Sequence, residues 1–163
     1  MERVVPLDTD IGPEAAVSGA IVFQTEHETM LSFNATRLHP DGRYYDAGCA
    51  VVRFKRCNIS KFGYPNDEAW SGIPRTKGLD YGCYEILDSP WPAELCELNK
   101  HSFPNSKPST ELRHFLFLFH DSSFECLAED YSMELIPAGF ERYLSVVRRF
   151  LAPAFGEEPD AAL

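Results

Sequence analysis

The chain has 163 residues, of which 44% are hydrophobic and 13% aromatic, and its formal net charge is −10. This length and apolar content predict one folded domain with a sizeable core and exclude a disordered chain. Acids outnumber bases by 25 to 15 and Lys and Arg form no large cluster, which excludes nucleic acid as a partner. No apolar run is long enough to span a membrane, so no transmembrane segment is expected.

The number and spacing of the cysteines bear on whether the protein occupies a reducing or an oxidising compartment. Five cysteines, an odd number, occur at irregular spacing, and the first residues are acidic and interrupted by proline, unlike a secretory signal. These features predict reduced thiols in the cytoplasm rather than a disulfide framework. The cysteines are Cys49, Cys57, Cys83, Cys96 and Cys126.

In chain order, residues 1–14 are predicted to form a flexible arm, residues 15–152 a single domain, and residues 153–163 a mobile polar tail. Within the domain, Thr29–Thr36 alternates apolar and polar side chains, which is typical of a half-buried antiparallel strand. Tyr44–Cys57 predicts a longer strand that follows a Pro-Asp-Gly turn.

Residues 58–82 show no clear period and contain several Gly and Pro, yet they are rich in aromatic side chains. A long segment of this kind in a compact domain is usually functional or disordered, and its composition argues against disorder. We therefore expect a folded loop packed over one end of a sheet. Asn66 is placed to cap a short helical turn through Trp70.

Two helices are predicted. Ser89-Pro90-Trp91 is a start signal for the first, Pro90–Asn99, because Ser caps a free N–H and Pro loses nothing at the first helical position. Apolar residues at helical spacing predict the second, Phe140–Leu151. A strand over Tyr131–Ile136 is expected between them, after a hairpin.

That hairpin is the most apolar stretch of the chain. In Leu112–Phe119 the Phe side chains alternate with Leu, which predicts a strand covered on both faces. A turn at Asp121-Ser122 and a return strand over Ser123–Ala128 follow. The whole pattern predicts an α+β fold, a mainly antiparallel sheet of about six strands with two packed helices.

Phe119–Cys126 reads FHDSSFEC, which resembles an FHDSxFEC motif of a small family of cytosolic proteins. The segments Gly63–Ala69, Lys77–Leu79 and Ser89–Trp91 are similar to the same family. The resemblance covers residues 45–130 and implies no activity. It implies only that the long loop and the hairpin turn belong together.

The hairpin carries the catalytic candidates, because it joins a base, acids and a thiol. They are His120, Asp121, Glu125 and Cys126. His120, Asp121 and Ser122 are neighbours on one strand end and point to different faces, so they cannot form a Ser-His-Asp relay with one another. Cys126 and His120 would form a nucleophile pair only if the turn brought them together.

The long loop carries the ligand-binding candidates, since ligand pockets combine aromatic walls with a few polar groups. They are Tyr64, Asp67, Glu68, Trp70 and Tyr81. The alternative interpretation is that its aromatic side chains only attach the loop to the core. Metal-ligand spacing and a Gly-rich phosphate loop are both missing, so neither a metal nor a cofactor is expected.

Three functions stay open at this point. The first is a cytoplasmic module that binds a small molecule or a protein through the loop and the hairpin turn. The second is a hydrolase or transferase that uses His120, Asp121, Glu125 or Cys126. The third is an acidic inhibitor or immunity-type protein that covers a basic partner.

Overall fold

The computed structural model describes residues 2–15 and 19–136, together with Val146 and Arg148. The described part contains ten strands, two α-helices and a 3₁₀ turn at Pro74–Thr76. The strands are β1 Arg3–Pro6, β2 Ile11–Pro13, β3 Ile21–Gln24, β4 Thr29–Leu38, β5 Tyr44–Lys55, β6 Ile59–Gly63, β7 Gly82–Leu87, β8 Arg113–Leu118, β9 Ser123–Ala128 and β10 Asp130–Ile136. The helices are α1 Asp67–Ser71 and α2 Trp91–Lys100.

The strands form two antiparallel five-stranded sheets. Sheet A has the order β1-β7-β8-β9-β6, and sheet B has the order β10-β5-β4-β2, with β3 also paired to β4. The predicted α+β class with antiparallel pairing is therefore confirmed, although most of the described structure is sheet. The described residues form ten strands in two sheets rather than about six strands in one sheet.

The Phe-rich segment is the central strand of sheet A, as its pattern predicts. Phe115 and Phe117 of β8 face sheet B and are fully buried in the core between the sheets. Leu116 and Leu118 face the other way and pack under the long loop. A strand with cover on both faces needs apolar side chains at every position, which explains the unbroken apolar run.

Aromatic contacts join the two sheets. The Phe54 ring of β5 lies 5.8 Å from Phe115, 5.7 Å from Phe117 and 5.2 Å from Phe124. Tilted and edge-on ring pairs at such distances add to the free energy gained by burial. This cluster fixes the position of the β8–β9 hairpin relative to sheet B.

The long loop covers the outer face of sheet A. Trp70 of α1 is 3% exposed and packs with Ile73 and Leu79 against Leu116 and Leu118. The prediction that Asn66 caps this turn is confirmed, because its side chain accepts a hydrogen bond of 3.1 Å from the N–H of Ala69. The loop is thus attached to the sheet by its apolar side chains.

The N-terminal arm prediction is wrong for most of its length. Arg3–Pro6 pairs with β7 and Ile11–Pro13 pairs with β4, so residues 1–14 contribute an edge strand to each sheet. The prolines misled the prediction, but proline is tolerated in edge strands, where one side needs no N–H donor. Residue 1 lies outside the described residues.

The second predicted helix, Phe140–Leu151, and the tail over residues 153–163 lie almost entirely outside the described residues. Val146 and Arg148 are described and helical. Val146 is 1% exposed and packs with Met30 and Val51 on the outer face of sheet B. Within the part of the chain that the structure describes, no helix has the length and apolar character to cross a membrane.

Candidate functional site

The β8–β9 turn places His120 at one end of sheet A. The N–H of Phe119 donates a 2.9 Å hydrogen bond to the Ser122 carbonyl, which closes the turn. Phe119 is 7% exposed and packs on Phe33 of sheet B, with ring centroids 5.5 Å apart. The next side chain, His120, is therefore held at the rim, where it is 52% exposed.

The long loop meets this turn directly. We call residues 64–81 the rim loop. The Ser123 hydroxyl donates a 2.8 Å hydrogen bond to the carbonyl of Pro65. Pro65 follows a cis peptide bond, and Asn66 is the N-cap of α1, whose first residue is Asp67. The contact that the sequence resemblance implies, between the loop and the hairpin turn, is present in the structure.

Three polar side chains join where the loop and the turn meet. We call Asp67, Tyr81 and His120 the rim cluster. The Tyr81 hydroxyl donates a 3.0 Å hydrogen bond to Oδ2 of Asp67, and the Tyr81 hydroxyl oxygen lies 3.2 Å from Nδ1 of His120. Since the phenol has one proton and gives it to Asp67, the imidazole must donate its Nδ1–H to the phenol oxygen. A chain of hydrogen bonds thus runs from His120 through Tyr81 to Asp67.

Acidic side chains surround the phenol of the rim cluster. The hydrogen bond to Asp67 raises the pKa of the Tyr81 phenol, and burial and the charges of Asp67, Asp80 and Asp121 raise it further. Tyr81 is thus kept protonated at neutral pH and acts as a hydrogen-bond donor, not as a base. Oδ1 of Asp67 is buried without a hydrogen-bond partner among the described residues. Such a site favours cationic groups.

The other ligand-binding candidates differ in their environments. Tyr64 is 84% exposed and Glu68 is also exposed, so both side chains are accessible to solvent. Trp70 is buried under the loop, so its indole does not face solvent as a ligand-binding side chain would. Trp70 attaches the loop to the core, as the alternative interpretation states.

The structure does not bring the four catalytic candidates together. His120 and Asp121 are exposed at the turn. Glu125 faces outward from sheet A, where it contacts His114, and Cys126 faces the core between the sheets with no exposed surface. Burial raises the pKa of the Cys126 thiol, so it is a poor nucleophile. Strand alternation separates neighbours 125 and 126 onto opposite faces.

The turn also borders a small cleft. Asp121 and Ser122 line it with Phe119, Ala20 and Glu14. Its volume of about 20 Å³ is enough for one water molecule. A drug-sized ligand needs several hundred Å³, so this cleft is too small to hold a substrate of that size against the catalytic candidate Asp121.

A second polar cluster escaped the sequence analysis. We call Ser89, His114 and Glu125 the buried relay. The Ser89 hydroxyl lies 2.8 Å from Nδ1 of His114, and Nε2 of His114 lies 3.0 Å from Oε2 of Glu125. His114 and Glu125 lie on the outer face of adjacent strands, and strand alternation with the hairpin register could have paired them. The contact of Ser89 with this pair could not have been predicted from the local sequence pattern.

The relay is enclosed. His114 and Glu125 side chains are 4% and 10% exposed, and the Trp91 ring lies edge-on to the imidazole at 4.8 Å. The Lys61 ammonium sits 4.0 Å from the Trp91 ring centre. Burial raises the pKa of the Glu125 carboxyl, but the His114 hydrogen bond and the charges of His114, Lys61 and Arg75 outweigh it, so the pKa is lowered.

The relay has the residue types of a Ser-His-Glu hydrolase, but its surroundings do not suit acyl transfer. Such chemistry needs N–H groups near the nucleophile to stabilise the oxyanion. Pro90 and Pro92 have none, and the N–H of Trp91 already donates to the Ser89 oxygen at 3.2 Å. We therefore interpret the relay as the polar contact that docks the start of α2 on sheet A.

Comparisons with protein-family models, with curated proteins and with solved structures find no match. The described residues contain no group of three or more His, Cys, Asp or Glu side chains that could hold a metal ion. The candidate function therefore rests on the geometry of the rim and of the relay.

Proposed function

We propose that the protein is a cytoplasmic interaction module that binds a basic segment of another protein through the rim loop and the β8–β9 turn. The observation that carries this proposal is the side chain of Tyr64, which is 84% exposed in the same loop as Asp67 of the rim cluster, three residues before it in the chain. A tyrosine contributes a large rigid contact area, and it is enriched among the residues that dominate binding energy. Its ring also attracts Arg and Lys.

The charge of the rim supports a basic partner. Asp67, Asp80 and Asp121 each lie close enough to Tyr81 for their charges to raise its pKa. The chain as a whole carries a net charge of −10, which would steer a cationic segment toward it. A basic protein segment therefore fits this rim better than a nucleic acid.

The rim is also preorganised. Trp70 is buried under the loop, Ser123 holds the Pro65 carbonyl, and the hydrogen bonds of the rim cluster join α1 to the turn. Binding to a surface that is already ordered costs less conformational entropy than binding to a free loop. This property distinguishes the rim loop from an ordinary acidic loop that only improves solubility.

An enzyme that uses His120, Asp121, Glu125 and Cys126 together is less well supported, because these side chains lie in separate environments. The acidic inhibitor is a special case of the proposed module, in which the basic partner is itself an enzyme or toxin. Reduced cysteines support the cytoplasmic location, because they match a reducing compartment.

The proposal is tested with a fluorescent arginine-rich peptide, whose binding is followed by anisotropy against an acidic peptide of equal length. We expect the arginine-rich peptide to bind and Tyr64→Ala or Asp67→Asn to weaken it about tenfold each. Phe103→Ala is the matched control, because Phe103 is a 68% exposed aromatic residue that follows α2. Equal weakening by Phe103→Ala, or no binding at low salt, would overturn the proposal.

A further inference from the structure

One edge of sheet A is open among the described strands. β6 is the last strand of this sheet, and of the described strands it pairs with β9 alone. In an antiparallel pair, successive residues point their N–H and C=O groups alternately toward the partner strand and away from it. An edge strand therefore keeps a row of backbone groups that no neighbouring strand satisfies.

The register of the sheet identifies these free groups. The hydrogen bond from Phe119 to Ser122 that closes the hairpin fixes the phase of the alternation. Counted from this bond, Phe124 directs its N–H and C=O groups to β8, so the residue opposite it on β6, Phe62, directs its own away from β9. The same alternation turns the backbone of Ser60 to the free side. In the described part of the chain, no backbone hydrogen bond from a loop or turn reaches either residue.

The side chains of these two residues lie at the open edge between the sheets. The Ser60 hydroxyl donates a 2.6 Å hydrogen bond to Oε1 of Gln24, the last residue of β3, so this face of β6 is turned toward sheet B. Phe62 shares this face, yet it is 47% exposed, whereas its register partner Phe124 is fully buried. A large apolar surface thus lies beside unpaired backbone groups.

We propose that the basic segment of the partner protein binds as an added β-strand along the free side of β6. This inference rests on the proposed function, because it describes how the same segment is held. Backbone hydrogen bonds to Ser60 and Phe62 supply affinity, and alternate side chains of the segment supply specificity. The side chains that cover Phe62 are apolar, since they extend the core at its open edge.

The far end of β6 connects this strand to the rim. Gly63 pairs with Ser123, which directly follows the β8–β9 turn, and the chain then passes into Tyr64 and the rim loop. A segment that runs along β6 therefore reaches the rim cluster at this end. The partner is thus an extended segment in which every second residue is apolar and whose end at the rim carries Arg or Lys.

The charges of the chain favour this occupant over a second copy of the protein. Two β6 strands that paired antiparallel over their full length would place Lys61 opposite Lys61, and like charges directly opposite destabilise a strand pair. A lysine on an edge strand opposes such self-association. The net charge of −10 also repels a second copy, whereas it attracts a basic segment.

The experiment uses a fluorescent peptide that alternates Val and Thr and ends in two arginines, and its binding to the full chain is followed by anisotropy. N-methylation of the peptide removes backbone donors and keeps its charge. In an added strand only alternate residues point their N–H groups to β6. Methylation of that set should weaken binding at least about tenfold, and methylation of the other set should change it by less than about twofold.

Phe62→Ala should weaken binding of the unmethylated peptide about tenfold. Phe103→Ala is again the matched control, because Phe103 is an exposed aromatic residue outside β6, and it should leave binding unchanged. Circular dichroism shows whether each variant is folded. The comparison of the two methylated sets uses the wild-type chain, so it does not depend on the folding of a variant.

The outcomes separate the added strand from the proposed function. If both methylated sets bind equally while Asp67→Asn still weakens binding, the added strand is overturned and the basic-segment proposal stands. If a peptide without arginines binds as tightly and shows the same dependence on the methylated set, the added strand is supported and the role of charge is overturned. Failure of the alternating peptide to bind overturns the added strand. So does a dimer of the chain, seen by analytical ultracentrifugation, that Phe62→Ala dissociates, because a second copy then occupies the edge.

Discussion

Nε2 of His114 lies 3.0 Å from Oε2 of Glu125 in a region where both side chains are almost fully enclosed. The imidazole is bonded at both nitrogens, because Ser89 contacts Nδ1 at 2.8 Å. A buried polar group that keeps its hydrogen-bond partners lowers the folding stability little. One that loses a partner lowers it by the full free energy of its desolvation. The stability of the relay is therefore sensitive to each of its members.

Glu125→Ala should be strongly destabilising. The substitution leaves Nε2–H of His114 buried without an acceptor, at a cost of about 3 kcal/mol of unfolding free energy. Urea denaturation measures this change. Glu125→Gln keeps an acceptor oxygen and should cost clearly less. Similar, small costs for both variants would mean that the pair is not enclosed.

The relay should also make stability fall in acid. The pKa of Glu125 is lowered in the folded protein from its ordinary value of 4.5. Its contribution to stability is then complete above pH 4.5 and is lost as the pH falls through the folded pKa. The free energy of unfolding, measured by urea denaturation at several pH values, should change less over this range for Glu125→Gln than for the wild type. An identical pH dependence in the two proteins would contradict the lowered pKa.

Two aromatic residues of one loop should behave oppositely. Trp70→Ala removes a 3% exposed side chain from the outer face of sheet A and should cost about 3–5 kcal/mol. Tyr64→Ala removes an 84% exposed side chain and should change stability by less than about 0.5 kcal/mol. Thermal or urea unfolding of both variants tests this contrast, and a large cost for Tyr64→Ala would show that Tyr64 is part of the packing.

The phenol of Tyr81 reports on the rim cluster. Its pKa is raised above 10.0, first by the hydrogen bond to Asp67 and then by burial and nearby acids. Asp67→Asn removes the charged acceptor, so the pKa of Tyr81 should move down toward 10.0. NMR titration of the ring signals follows it, with Glu68→Gln as the control on an exposed neighbouring acid. An unchanged Tyr81 pKa in Asp67→Asn would show that Asp67 does not raise the pKa of the phenol.

Alkylation of Cys57 should depend on pH near neutrality. Because the pKa of Cys57 is lowered to about 7, its reaction with iodoacetamide should rise through pH 7 and level off above it. The fully buried thiol of Cys83, whose pKa burial raises, should stay unreactive in the folded protein. Mass spectrometry of digested samples gives both rates, and a rise centred above pH 8.5 would contradict the lowered pKa.

The alternation of Phe and Leu predicted β8 and its two covered faces, because a strand buried on both sides tolerates no polar position. The Asn66 cap was equally local and was confirmed. The helix predicted from Ser89-Pro90-Trp91 is present but begins one residue later than predicted, with Pro90 rather than Ser89 as its N-cap. The arm over residues 1–14 was missed because short edge strands carry little pattern of their own. Their pairing with β7 and β4 depends on strands far away in the chain.

The sequence by itself determined that β8 is a core strand, where the β8–β9 hairpin turns, and that an aromatic loop precedes it, because these features follow from local periodicity and turn chemistry. It did not determine the burial of β4, whose polar residues Ser32 and Asn34 were expected to face solvent and are buried. Only the tertiary structure decided which polar side chains meet. Tyr81 and His120 are 39 residues apart, and Ser89 and His114 are 25 apart. Such pairs are set by strand order and sheet packing, which no local pattern records. The same packing sent Glu125 and Cys126, neighbours in the chain, to opposite faces of one sheet.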